Sequence, residues 1–221
     1  PEFSADGKRL AVTEEGRKTR IWNTADWSYQ SLEDSVSTNV QQLVFSLNGS
    51  RLAQVERGVV RVKPGEVVRE RGGKVFDLAS GKFLLGVQVL RGRSLALSPD
   101  GTLLALGTGN DAIQLWSVDR GQQIGTLGGK GAIVFGLSFS PDGKTLAGCV
   151  AVEGFKLWNV ETQQEILTLD GFDGPRQVLF SSDGSCLAVR SLDGRLQLWR
   201  APSFEEIAAT EAREQAEGKQ P

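Results

Sequence analysis

Apolar residues along this chain come in short runs and strict alternations, and nowhere settle into a 3.6-residue period. The pattern is clearest from Phe139 to Val160. There Ser140-Pro141-Asp142-Gly143 supplies turn chemistry: Pro fixes φ, Asp can bond its own backbone, and Gly accepts positive φ. Leu146-Ala147-Gly148-Cys149-Val150 follows as a short apolar run of the kind found in buried strands. After a turn at Glu153-Gly154, Phe155-Lys156-Leu157-Trp158 alternates, which predicts the second strand of a hairpin. One such hairpin cannot bury its own apolar face, so it needs copies of itself to stack on.

The copies are present. The turn glycine recurs at Gly7, Gly49, Gly101, Gly143 and Gly184, with spacings of 42, 52, 42 and 41 residues. Each is followed by a Leu-Ala pair: Leu10-Ala11, Leu52-Ala53, Leu104-Ala105, Leu146-Ala147 and Leu187-Ala188. A tryptophan stands 15 residues after the glycine in four copies, at Trp22, Trp116, Trp158 and Trp199, and Phe76 takes that place late in the second. A period near 42 residues with about four β-rich runs per unit predicts four-stranded blades of a propeller. The fold class expected is all-β: a partial, open-arc propeller of about five four-stranded blades. The first and last are incomplete, and a short C-terminal helix follows.

The unit boundaries fall at about 1–33, 38–90, 91–128, 131–170 and 174–200, leaving 201–221 as a tail. The second unit is longer because Val59 to Arg69 is inserted, with valine-rich arms around Pro64-Gly65; it reads as a hairpin that lengthens the two middle strands. In the tail Ile207 aligns with Ile166, where an outer strand is due. However, Ser203-Phe204-Glu205-Glu206 has capping-box spacing and Ala208 to Glu214 is helix-prone, so a short helix is expected there instead. The chain opens inside its first repeat and contains no methionine, so it is expected to be a piece of a longer protein. An arc of five blades would leave apolar faces at both ends, which predicts that the isolated piece is aggregation-prone.

Composition narrows the chemistry. With no histidine, the chain has no Ser-His-Asp or Cys-His pair and no zinc site with histidine ligands. Gly128-Gly129-Lys130-Gly131 lacks the spacing and the hydroxyl of a phosphate-binding loop and reads as the link between units three and four. Cys149 and Cys186 lie in apolar strand context and are expected to be single buried thiols. Asp6, Asp100, Asp142 and Asp183 recur at one turn position and are read as structural, so neither catalysis, cofactor nor metal is expected. No apolar run of 18 residues occurs, and no membrane partner is expected.

The net charge is -2, but residues 56–74 carry six cations against three carboxylates, a local balance of +3. These basic residues are not interleaved with aromatics, so nucleic acid is not the expected partner. Within the insertion Arg57, Arg61, Lys63, Arg69 and Arg71 are the candidate partner-binding residues, because the repeat itself does not require the segment that carries them.

Taken together, the recurring Phe-Ser-Pro-Asp-Gly, Leu-Ala and Leu-Trp-Asn-Val elements resemble the WD40 repeat family over about 200 residues. The ending Leu198-Trp199-Arg200-Ala201-Pro202-Ser203 also looks like the C-terminal end of large bacterial WD40 proteins, some of which carry a serine/threonine kinase domain upstream. Two departures stand out. The Trp-Asp dipeptide becomes Trp22-Asn23, Phe76-Asp77, Trp116-Ser117, Trp158-Asn159 and Trp199-Arg200, and the Gly-His pair is absent. The family's His–Ser/Thr–Asp–Trp network therefore cannot form whole, although Asp111 and Asp193 can take the Asp place in their units. Apolar packing is expected to hold the blades, with less polar specification than usual.

The resemblance implies a non-catalytic, cytoplasmic protein–protein interaction scaffold. Its partner would be another protein or another domain of the same parent chain. The inserted turn would lie on the propeller face that usually meets partners. The alternative is an accessory propeller of a multidomain enzyme, a kinase or peptidase, whose active site lies upstream.

Overall fold

A computed structural model of the chain describes residues 1–200 except 15–17, 33–34, 36–39, 58–59, 64–65, 69, 91–93, 109–111, 129–132, 152 and 170–173. For residues 57, 60–63, 66–68, 70–71 and 89–90 only the backbone is described. The expected C-terminal helix lies outside the described residues, as do the Glu15-Gly16 turn and Asp111.

Five antiparallel sheets follow one another along the chain. The first contains β1 (Glu2–Phe3), β2 (Arg9–Val12), β3 (Arg20–Asn23) and β4 (Tyr29–Ser31). The second has β5 (Val40–Phe45) and β6 (Arg51–Arg57), then a small separate hairpin, β7 (Val60–Lys63) and β8 (Glu66–Val68), before β9 (Glu70–Asp77) and β10 (Phe83–Leu90). The third is β11 (Ser94–Leu97), β12 (Leu103–Gly107), β13 (Ala112–Ser117) and β14 (Gln122–Gly128). The fourth is β15 (Val134–Phe139), β16 (Thr145–Val150), β17 (Gly154–Asn159) and β18 (Glu165–Leu169). The fifth has three described strands, β19 (Pro175–Phe180), β20 (Cys186–Ser191) and β21 (Leu196–Arg200). The expected incompleteness of the first unit is met only in length: all four strands are present, with β1 reduced to two residues.

One register repeats in every sheet. The conserved spacing of the sequence repeat becomes a cross-strand row: Phe3-Leu10-Trp22-Tyr29, Phe45-Leu52-Phe76-Phe83, Leu97-Leu104-Trp116-Gln123, Phe139-Leu146-Trp158-Glu165 and Phe180-Leu187-Trp199. Shifting by one residue places the alanines on the opposite face, in rows such as Val44-Ala53-Val75-Leu85 and Ser138-Ala147-Leu157-Leu167. Each sheet thus has a bulky Leu–aromatic face and a flatter Ala–aliphatic face.

These two faces meet between successive sheets. Ala11, Ile21 and Leu32 of the first sheet cluster with Leu43, Leu52 and Phe76 of the second. Ala53, Val75 and Leu85 cluster with Leu95, Leu104 and Leu106 of the third. Ala105, Ile113 and Leu127 enclose Leu146 and Trp158 of the fourth, and Ala147, Cys149 and Phe155 cluster with Leu187, Val189 and Trp199 of the fifth. The small alanine is what lets the facing leucine and indole approach, and Trp158 is left only 2% exposed. The core is therefore four slabs between sheets, with the polar residues at their edges.

The innermost strands of all five sheets line one cavity of about 390 Å3, with Phe3, Val44, Leu97, Phe139 and Leu179 among its walls. This places the sheets around a common axis. Crowding is tightest there: a Cβ added at Gly136 on β15 would lie 2.9 Å from the backbone of Arg176 and Gln177 on β19. Only glycine fits that approach.

Every turn between the first and second strands is built alike. Its glycine has φ between 68° and 79°. The serine three residues before it, Ser4, Ser46, Ser98, Ser140 or Ser181, donates Oγ–H to the side-chain oxygen of Asp6, Asn48, Asp100, Asp142 or Asp183 at 2.5–2.8 Å. The same serine oxygen accepts the backbone N–H five residues on at 2.8–3.0 Å. The Asp or Asn oxygen accepts the N–H two residues on at 3.0 Å. The structural reading of the repeated aspartates is thereby accounted for, each as the acceptor at the centre of its own turn.

These bonds favour the ionised carboxylate. Donation from Ser4, Ser140 and Ser181 holds Asp6, Asp142 and Asp183 below the usual range, Asp183 at about 2. At Asp100 burial pushes the carboxyl up, but donation from Ser98 and Thr102 outweighs it and the net direction is down. A carboxylate depressed on folding stabilises the fold above its ordinary value of 3.8 and ceases to do so as pH falls toward about 2.

Two outcomes are expected. Urea midpoints should be level at neutral pH and fall through that acidic window, and the combined variant Asp6→Asn, Asp100→Asn, Asp142→Asn, Asp183→Asn should shrink the fall, since Asn48 already makes the same turn bonds. Separately, Trp158→Ala should cost about 3–5 kcal/mol in denaturant unfolding, whereas Trp22→Ala, half-exposed on the outer face of the first sheet, should cost less than half of that.

Candidate partner-binding hairpin

The insertion sits where its sequence predicts, between the middle strands of the second sheet. The ladder Leu52↔Phe76, Ala53↔Val75, Gln54↔Lys74 continues without a break to Arg57↔Arg71, and β10 follows alongside to Leu90↔Glu70. The sheet is therefore complete at the standard register, and the extra chain is added beyond it. Beyond that end, β7 and β8 pair as Val60↔Val68, Arg61↔Val67 and Lys63↔Glu66.

Antiparallel order fixes which end of the molecule this is. The Ser–Asp–Gly turns join first to second strands at one end; turns between second and third strands, and links to the next sheet, lie at the other. The hairpin projects from that second end, away from the aspartate turns. Arg57, Arg61, Lys63 and Arg71 occupy strand positions there, with their side chains outside the described residues, and Arg69 lies outside them altogether.

The base of the hairpin carries a polar chain that the sequence does not announce. Ser35, Thr19 and Gln54 are all fully buried at the junction of the first two sheets. Ser35 Oγ accepts the N–H of Thr19 at 2.8 Å and donates to the carbonyl of Leu32 at 2.8 Å. Thr19 Oγ1 donates to Gln54 Oε1 at 2.8 Å and shares a second hydroxyl bond with Thr13. Gln54 Nε2 donates to Glu56, whose carboxylate pairs with Lys74 Nζ at 2.9 Å. The side-chain polar atoms of Ser35, Thr19 and Gln54 all have partners, so this network fixes β6 and β9 where the hairpin leaves the sheet.

The pairing of Lys74 with Glu56 also refines the local charge. It leaves Arg57, Arg61, Lys63, Arg69 and Arg71 against Glu66 and Glu70, five cations and two carboxylates, so the +3 balance belongs to the hairpin itself. The Ser35–Thr19–Gln54 network was missed by sequence reasoning because Ser, Thr and Gln are ordinary surface residues; the one available signal is that Gln54 interrupts the apolar run Leu52 to Val55.

Elsewhere the candidate chemistry resolves into structure. Cys149 is buried in β16, which pushes its thiol up to about 12, and Cys186 is half-buried; both are free. Asp193 accepts the N–H of Arg195 at 3.1 Å and closes its own turn. Among the described residues no three Cys, Asp or Glu side chains converge as a metal site would require. The described residues include no helix long and apolar enough to cross a membrane.

A family model described as WD domain, G-beta repeat, matches residues 121–151 and 163–200. Each match begins on the outer strand of one sheet and runs into the inner strands of the next, β14 into β16 and β18 into β21. No curated protein matches the chain. Domains of this kind generally mediate protein–protein interaction and are typically non-catalytic. Residues 121–151 and 163–200 thus carry repeats of the WD40 family, and the same cross-strand register recurs in all five sheets.

Proposed function

We propose that the chain is a non-catalytic interaction scaffold that engages an acidic surface, on another protein or on another domain of its own parent chain, through the basic hairpin at residues 57–71. The observation that carries this reading is that the second sheet already has its four strands in standard register without the hairpin. Folding does not call for the extra chain, yet a buried and fully bonded polar network holds its base. A rigid stem with a cationic tip suits recognition of carboxylates: exposed charge speeds encounter and selects partners more than it adds affinity. A propeller supplies the fixed platform from which such a loop works.

The test replaces residues 57–71 with Gly-Gly and, separately, changes Arg57, Arg61, Lys63, Arg69 and Arg71 to Glu. Both variants should melt cooperatively close to the parent, because the ladder from Leu52↔Phe76 to Glu56↔Gly72 remains. Quantitative pull-down should show a partner held by the parent, released as salt rises, and lost by both variants. A partner retained by the Gly-Gly variant overturns the role of the hairpin.

A further inference from the structure

Three innermost strands carry an irregularity that the repeat itself does not need. In β5, β15 and β19 the pairing with the next strand skips one residue, five places before the turn serine: Gln41, Phe135 and Arg176. Arg93 holds that place in the third sheet and lies outside the described residues. The three bulges are at the end of the propeller that carries the hairpin, because each inner strand runs from there toward its aspartate turn. A bulge re-aims a side chain, and bulges gather beside functional sites.

Phe135 and Arg176 meet at the covered interface of the fourth and fifth sheets. Gly136, next to Phe135, admits the backbone of Arg176 and Gln177. The guanidinium carbon of Arg176 then sits over the Phe135 ring, 3.8 Å from its centroid. Arg176 Nε is enclosed without an acceptor, and the side chain has no hydrogen-bond or ion-pair partner among the described residues. Other cations at this end are matched: Lys74 by Glu56, Lys156 by Glu153 and Glu165, and Arg195 by Asp193. Enclosed donors without acceptors are rare in folded proteins. Arg176 is half-buried, and with Nε enclosed a ligand reaches it at the Nη1–Nη2 edge. The ring fixes the fork beforehand, so binding costs little further side-chain freedom.

We propose that Arg176 is the anchor for a carboxylate of an acidic partner, gripped by the Nη1–Nη2 edge while Phe135 holds the guanidinium in place. The inference rests on the reading of this end as the one that meets an acidic surface, and it adds where one carboxylate seats. A planar fork matches the two oxygens of a carboxylate, which a lysine in the same place cannot do. The hairpin and Arg176 then divide the work. The mobile charge of several basic residues attracts the partner, and one stacked arginine fixes its register.

The probe is a fluorescent oligoglutamate peptide, titrated by anisotropy at low ionic strength, with oligoglutamine as the uncharged control. The parent should bind the first and not the second. Arg176→Gln should weaken binding roughly tenfold, and Arg176→Lys should recover little of it. Arg190→Gln removes an equal charge from an exposed position on β20 at the same end and should leave binding nearly unchanged. All three variants should melt close to the parent. With residues 57–71 replaced by Gly-Gly, overall binding should fall, but Arg176→Gln should still produce its own loss. Loss on removing the hairpin with none at Arg176 would leave the hairpin's role standing and overturn this one. The reverse pattern would overturn the hairpin's role and uphold this one. Equal losses from Arg176→Gln and Arg190→Gln would mean diffuse charge and overturn the anchor, as would a parent that binds no oligoglutamate. Asp170 and Asp173 precede β19 outside the described residues. If Asp170→Asn with Asp173→Asn strengthens binding in the parent but not in Arg176→Gln, the chain's own carboxylates occupy the fork, and the partner is overturned as its occupant.

Discussion

Each sheet of this protein has two apolar faces and no means of burying either by itself. A sheet of three or four strands, each two to eight residues long, is one layer thick, and a stable domain needs at least two. The structure meets that constraint by making the two faces different and complementary, so that any sheet can follow any other. Alanine at the fixed place after leucine is the key to it. It flattens one face enough for the neighbour's leucine and aromatic ring to seat, as Ala105 does for Leu146 and Trp158. The result is an array in which contacts are to nearest neighbours, as expected for repeat proteins.

Much of this was legible in the sequence. Glycine, leucine, alanine and tryptophan at constant offsets determined the period, and the period implied four short strands. The structure adds why the offsets are constant: Leu146 and Trp158 are direct cross-strand partners, and the same pairing joins Leu52 to Phe76 across an insertion. The late arrival of Phe76 therefore measures the inserted hairpin and nothing else. The turn aspartates were readable as structural from their repetition, but the part played by the preceding serine was not. Its role depends on two backbone bonds that exist only once Leu10 or Leu146 has turned back on its partner strand.

The candidate site was less legible, for a physical reason. A repeat advertises what every unit shares, whereas the hairpin and its base occur once. Their signal is only an excess of charge and a break in spacing. The polar chain from Ser35 through Thr19 and Gln54 to Glu56 joins residues up to 35 positions apart, which no local pattern reveals. Apolar clusters fill every interface, as expected without the histidine network, and polar bonds cross the later ones as well: Gln42 with Leu95, Ser94 with the Val134 carbonyl and Ser138 with the Phe180 N–H. At the first one, hydroxyls and an amide supply a polar tie between sheets that histidine does not need to provide.

The claim that unlike faces of successive sheets hold the array together is tested most directly at the junction of the fourth and fifth. There Phe155 and Trp199 stack across it, with centroids 6.0 Å apart and planes 17° from parallel. A double-mutant cycle of Phe155→Ala and Trp199→Ala, followed by urea unfolding, isolates that contact. The account predicts a coupling of about 0.5–1.5 kcal/mol, with each single variant less stable than the parent. Additivity of the two substitutions to within about 0.3 kcal/mol would contradict it, because the two rings would then be buried by their own sheets and not by each other.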